Sequence, residues 1–206
     1  MKKIKHIIFD LGGVLFNINY KKTEHAFNEL GIKNASKFYS KQTQVEIFNQ
    51  LECGKLSKEK FIIHLKKYVK NVSENEIIHA WNSMLLDLPD ENLLLLEKLH
   101  KKYSLFLLSN TNSIHITEIK NQIGKEKWYR FCKNFKQVYL SYEVGMRKPD
   151  IEIFNYILKE HSIKESETLF IDDSLQHIEG AKKVGLNTYH IKSNERVISL
   201  FPDIAL

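Results

Sequence analysis

Apolar residues fall into two alternating patterns along this chain. Short, largely apolar runs, IKHIIF at 4–9, SLFLLSN at 104–110, KQVYLS at 136–141, TLFID at 168–172 and NTYHI at 187–191, read as five strands. The segments at 90–102, 113–123, 150–160 and 175–184 instead place apolar residues at helical spacing. Strands without polar alternation are covered on both faces, so the pattern predicts an α/β fold, a parallel sheet with helices on both sides.

The stretch from 20 to 86 breaks this alternation. It carries amphipathic sets such as Phe61, Leu65 and Tyr68, and a helix start at SENE, where Ser73 and Glu76 have capping-box spacing. No convincing strand interrupts it. The expectation is an all-α insertion of about four helices, closed by Pro89, so that 1–18 and 87–206 form the α/β core and 19–86 an inserted helical domain. The insertion leaves the sheet at the strand end where ligands bind.

Composition narrows the class. A chain of 206 residues with 43% hydrophobic content fills a core of this size, and 27% charged content is ordinary for a soluble protein. The net charge of +6 is scattered in pairs such as Lys66-Lys67, Lys101-Lys102 and Lys182-Lys183, with no block that would track nucleic acid. The excess favours anionic metabolites instead. Cys53 and Cys132 match no metal spacing and suggest a reducing compartment. The apolar run after Lys2, Lys3 and Lys5 is short and carries Asp10, unlike a signal peptide, and no run approaches a membrane span. These features point to the cytoplasm and to no membrane partner; oligomeric state is not readable.

Chemistry concentrates where the strands end. The first ends at Asp10, the second at Ser109-Asn110-Thr111, and the fourth runs into Asp172-Asp173, while SYEVGMRKPD after the third supplies Lys148. Each group alone has an ordinary reading as a turn former, a helix cap or a solvated lysine. Asp172-Asp173 is harder to dismiss, because adjacent carboxylates after an apolar strand repel unless a cation sits between them. Their convergence on one sheet edge is what singles them out. Elsewhere, the aromatic KWYRFCKNF at 127–135 reads as packing on the sheet, Ser174 as a helix cap and Gly180 as a close-packing position, and the scattered histidines receive no role.

The series FDLGGVL, LLSNTN, GMRKPD and FIDDS, in this order, resembles the haloacid dehalogenase superfamily of phosphohydrolases over the whole chain, including a helical cap after the first motif. FDLGGVL, GMRKPD and IEGAKKVG look closest to bacterial glucose-1-phosphate phosphatases and to the phosphatase domain of soluble epoxide hydrolases. The resemblance implies a Rossmann-like core and a phosphatase acting on a small phosphorylated metabolite, a sugar phosphate being favoured. It implies that Asp10 is the nucleophile and forms an aspartyl-phosphate, and that Ser109 and Asn110 hydrogen-bond the phosphoryl oxygens. Lys148 would neutralise phosphate charge and steady Asp10. Mg²⁺, or Mn²⁺ in its place, would be held by Asp10, the Gly12 carbonyl and Asp173, with Asp172 close behind.

The chain departs from the family at Gly12, where most members carry a second Asp as general acid and base. A general acid typically contributes about a hundred- to ten-thousand-fold in rate. Three readings follow. The substrate has a good leaving group and a water or a cap residue such as Glu52 supplies the proton; the reaction is a halide displacement that needs no acid; or the protein binds phosphate with little turnover. The retained phosphate and metal groups favour the first.

Overall fold

The computed structural model describes residues 4–32 and 46–204. Five parallel strands, β1 (His6–Phe9), β2 (Ser104–Ser109), β3 (Gln137–Leu140), β4 (Thr168–Asp172) and β5 (Asn187–His190), form one sheet in the order β3-β2-β1-β4-β5. The chain works outward from β1 to β3 and then crosses to β4 on the other flank. That reversal beside β1 is the switch point at which open α/β sheets bind ligands.

Alternate residues of the strands feed two cores, as the two-residue period requires. Ile8, Phe106, Leu108 and Phe170 face Ile153, Phe154 and Ile157 of α8 (Ile151–Glu160) and Ile178 of α9 (Leu175–Lys183). Ile7, Phe9, Leu107 and Ile171 face Leu96 and Leu99 of α5 (Asp90–Leu99) and Ile116 and Ile119 of α6 (Ser113–Cys132). A single-turn helix, α7 (Ser141–Val144), follows β3. Helix α6 runs beyond the expected end at 123: Gly124, at φ +78°, breaks its regularity and the helix resumes to Cys132. In the aromatic stretch beyond, Phe131 and Phe135 are buried and Trp128 packs on the core, while Tyr129 is exposed.

Among the described residues, the stretch between β1 and α5 holds α1 (Tyr20–Glu29), α2 (Glu46–Glu52), α3 (Lys58–Lys66) and α4 (Glu74–Asn82). The capping box at Ser73 and Glu76 forms at the start of α4. Phe61 and Leu65 are buried as expected, but Tyr68 lies past the end of α3 and is exposed, because the helix stops before its face can turn inward. Trp81 is the hub. It stacks on Phe27, Phe48 and His115, with ring centroids 6.1, 5.1 and 4.7 Å away, so one indole joins α1, α2 and α4 to α6 of the core.

The chain leaves and re-enters the sheet layer along two paired segments. Ile18 and Leu85 form an antiparallel bridge, and Asn17 and Asn19 donate backbone bonds to Asp87 and Met84, both at 2.8 Å. Replacing Trp81 with Ala should cost about 3–5 kcal/mol, the range for large buried aromatics. Denaturant unfolding of W81A by far-UV circular dichroism checks this; a loss under about 1 kcal/mol would mean that the indole does not join the two layers.

Candidate active site

The parallel register sets acidic side chains side by side. Phe9 pairs with Ile171, so Asp10 and Asp172 leave their strands level, and the Asp10 amide donates to the Ile171 carbonyl at 2.9 Å. Phe9 also pairs with Leu107, which puts the Leu108 carbonyl and Ser109 at the same edge. Asp173 packs on the turn after β1. A Cβ on Gly13 would lie 2.3 Å from Asp173 Oδ2, and Gly13 sits at φ +76°. Only glycine meets both conditions.

Lys148, in the loop between α7 and α8, is fully buried. Its ammonium donates to Asp10 Oδ1 at 2.8 Å, to the Leu108 carbonyl at 2.9 Å and to Asp172 Oδ2 at 2.6 Å, which occupies all three of its hydrogens. Its backbone is pinned from two sides. The Asn110 side chain donates to the Lys148 carbonyl at 2.8 Å and accepts from the Lys148 amide at 2.9 Å. Gly180 of α9 approaches Pro149 so closely that a Cβ there would lie 2.3 Å from the Pro149 carbonyl oxygen.

Burial alone would strip this lysine of its charge, but Asp10 and Asp172 more than offset that and raise its pKa. The two carboxylates part ways. Burial pushes Asp10 up to about 8, against Lys148 and with help from Asp172 and Asp173. Asp172 is buried too, yet Lys148 and His177 outweigh that and hold it at about 2. His177 Nδ1 lies 3.0 Å from each Asp172 oxygen, and the Ser174 amide donates to Oδ1 at 2.7 Å. Burial and Lys148 lower the pKa of His177, so a neutral ring with its proton on Nδ1 fits this contact.

Carboxylate oxygens of Asp10, Asp172 and Asp173 lie within 4.8 Å of one another. Three carboxylates against one ammonium leave a net charge of −2 when all are ionised, which one divalent cation offsets. Both Asp172 oxygens already have donors, whereas Asp10 Oδ2 and the Gly12 carbonyl accept no hydrogen bond among the described residues. Asp10, Asp173 and the Gly12 carbonyl are thus the donor set that fits Mg²⁺, a hard cation that takes few carboxylates and keeps positions for water and phosphate.

The cluster floors a cavity of about 250 Å³, with Ser109 on its wall. The same cavity is lined by Tyr20 of α1, by Asn49 and Glu52 of α2 and by Arg147 of the core. Arg147 Nη2 lies 2.8 Å from Glu52 Oε2, and Nη1 donates to Asn49. Burial and the surrounding carboxylates of Asp173, Asp10 and Glu52 raise the Tyr20 phenol well above its usual range, so it keeps its proton. His115 is neutral, its pKa lowered by burial to about 4, and its Nε2 lies 3.3 Å from the Trp81 carbonyl oxygen.

The family model described as haloacid dehalogenase-like hydrolase matches residues 7–191. The chain belongs to the haloacid dehalogenase-like hydrolases. It is 33% identical over 187 residues to D-ribitol-5-phosphate phosphatase of Bacteroides thetaiotaomicron, covering 90% of this chain and 91% of that one. A sesquiterpene phosphatase of Aspergillus oryzae is 27% identical over 191 residues, 91% and 89% of the two chains. Among solved structures, a family enzyme of Bacteroides thetaiotaomicron, an aspartate-to-alanine mutant in complex with magnesium and inorganic phosphate, superposes with a TM-score of 0.83 at 36% identity, over 96% of this chain and 98% of that one.

In this haloacid dehalogenase-like chain, Asp10, Gly12, Ser109, Asn110, Lys148, Asp172 and Asp173 all gather at the expected sheet edge. Some local expectations change. The Asn110 amide faces the Lys148 backbone, which leaves the residue's own N–H as the group it can offer a ligand. Ser174 starts α9 without a side-chain cap bond, while its amide donates to the Asp172 carboxylate, and Gly180 packs on Pro149 rather than on the sheet. Glu52, offered above as a proton source, is buried and ion-paired with Arg147.

Arg147, Tyr20 and His177 escape the sequence reading. For His177 a signal exists: it is the third residue of α9, from which a side chain reaches back toward the strand end. Adding Mg²⁺ should raise the thermal unfolding midpoint, chelator should reverse the rise, and Asp173→Asn should erase it. At a hundredfold excess over Kd the stabilisation is about 2.7 kcal/mol. Differential scanning fluorimetry reads it without any substrate, and an equal shift in the variant would exclude Asp173 as a ligand.

Proposed function

We propose that this chain is a Mg²⁺-dependent phosphatase of small sugar or polyol phosphates that works through an aspartyl-phosphate on Asp10. The observation that carries this reading is the Asp10 carboxylate at the cavity floor, with Oδ1 tied to Lys148 and Oδ2 without a hydrogen-bond donor among the described residues. The likeness to D-ribitol-5-phosphate phosphatase supports the substrate class, and the family enzyme bound to magnesium and phosphate supports the cofactor.

The Asp10 carboxylate attacks phosphorus through one of its oxygens, the substrate oxygen departs, and water then cleaves the acyl phosphate to release phosphate and restore the carboxylate. Lys148 holds Asp10 for in-line attack and offsets negative charge without turning a hydrogen away from its three protein partners. Ser109 Oγ and the Asn110 N–H donate to the phosphoryl oxygens. Asp10, Asp173 and the Gly12 carbonyl would hold Mg²⁺, which would supply charge neutralisation to the phosphoryl group. Residues 19–86 act as a cap that screens the transfer from bulk solvent, leaving only the cavity water that the reaction uses.

The departing oxygen needs a proton, and Gly12 has none to give. A Cβ at Gly12 would lie 3.0 Å from Ile18 Cδ1, the flexible tip of a side chain, so Ile18 fills the space an acid would enter. Cavity water protonates the leaving group in its place. Glu52, ion-paired to Arg147, is poorly suited to the task.

The test is phosphate release from a panel of sugar, polyol and nucleotide phosphates, with Mg²⁺ and with chelator. Metal-dependent release that disappears in Asp10→Asn is expected; full activity in D10N refutes the nucleophile. The empty acid position predicts a steep preference for aryl over alkyl phosphates. Gly12→Asp, combined with Ile18→Ala to clear space, should narrow the kcat ratio between an aryl and an alkyl phosphate by about a hundredfold. An unchanged ratio would mean that the proton already comes from a group as effective as the missing acid.

A further inference from the structure

The cavity over the Asp10 cluster is also lined by one cation and one anion in contact with each other. Arg147 precedes the Lys148 that grips Asp10, while Glu52 belongs to α2 of the cap, and their side chains meet at 2.8 Å with only 19% and 8% of their surface exposed. A pair this buried contributes little net stability, because desolvation of both charges offsets the attraction. Its position in the cavity is informative instead. It sets the charge that the far end of a substrate meets.

We infer that Glu52 is a specificity-determining residue: by cancelling Arg147 it selects phosphomonoesters whose far end is an uncharged, hydroxyl-bearing chain. The inference rests on the phosphatase reading above and deepens it. Arg147 with no acidic partner would attract a second anion on the substrate, such as a carboxylate. With Glu52 in place that anion meets a guanidinium and a carboxylate together and loses its hydration for no net gain. A hydroxyl differs, since its oxygen accepts from the guanidinium while its hydrogen donates to the carboxylate. Asn49, on the same helix and already bonded to Arg147, adds an amide that can serve a neighbouring hydroxyl. A hydrocarbon tail would take the remaining hydration from the pair and add no hydrogen bond to either charge, and sites built for hydroxyls reject such tails strongly. His115 is neutral and brings no further charge to this end.

The experiment compares an alditol phosphate with the aldonate phosphate of equal chain length, which differ only in a terminal CH₂OH against COO⁻. Binding is measured by calorimetry in the Asp10→Asn protein and turnover in the wild type. Wild-type cavity residues should favour the alditol ester by about tenfold or more in both Kd and kcat/KM. Glu52→Gln should move the ratio toward the aldonate by about the same factor, and Glu52→Asp should keep it. Arg147→Gln tests the same pairing should E52Q fail to fold: it leaves Glu52 uncovered and should favour an aminoalditol phosphate.

Equal binding of alditol and aldonate esters, or an unmoved ratio in a folded E52Q, overturns the inference. Binding that follows the expected ratios without turnover in the wild type overturns the phosphatase reading and leaves the selectivity standing.

Discussion

One buried ammonium organises the centre of this molecule. Lys148 stands between Asp10 and Asp172 with the Leu108 carbonyl as its third acceptor, and no part of it reaches solvent. Without it, two carboxylates would share a dry site beside a third, and charge repulsion would force protons onto them. With it, Asp172 stays ionised while Asp10 is the easier of the two to protonate, and a cation can tip that balance. The remaining architecture serves the placement of this group. Asn110 binds its backbone on one flank, Gly180 lets α9 come close on the other, and the register of β1 against β2 and β4 brings its acceptors to one edge.

Much of this was legible in the sequence because it follows from period and position. All five strands appear where the apolar runs fall, within about a residue or two at the ends, as expected for boundaries that capping sets. The acidic residues were legible because each ends a strand, and a parallel sheet aligns its strand ends. Asn110 was visible as a site residue, but its partner was not. A side chain amide that bonds a backbone 38 residues away leaves no local pattern. The pairing of Arg147 with Glu52 was hidden for the same reason, since the two lie far apart in the chain and meet only when α2 is docked. Gly13 and Gly12 are adjacent and identical in sequence, yet the first is required by the carboxylate of Asp173 and by its backbone, while the second faces only the tip of Ile18.

Similarity to the ribitol phosphate enzyme and to the sesquiterpene phosphatase spans nearly the whole chain in both cases. The activities of those two relatives concern very different organic groups, one hydrophilic and one hydrocarbon. Such a range on one scaffold is understandable if the groups that handle phosphate and those that meet the remainder of the substrate belong to different parts of the chain. Here Asp10, Ser109, Asp172 and Asp173 lie at strand ends, whereas Tyr20, Asn49 and Glu52 come from the inserted helices.

The paired crossing at Ile18 and Leu85 makes that separation physical. Both connections pass side by side through one hydrogen-bonded neck, so the inserted helices join the sheet layer at a single place along the chain. The alignment of β1 is fixed by its neighbours before the chain enters the neck. A lineage could therefore exchange or reshape what lies beyond the neck without moving the Asp10 carboxylate, and new pockets could be tried while the buried charge cluster is inherited intact.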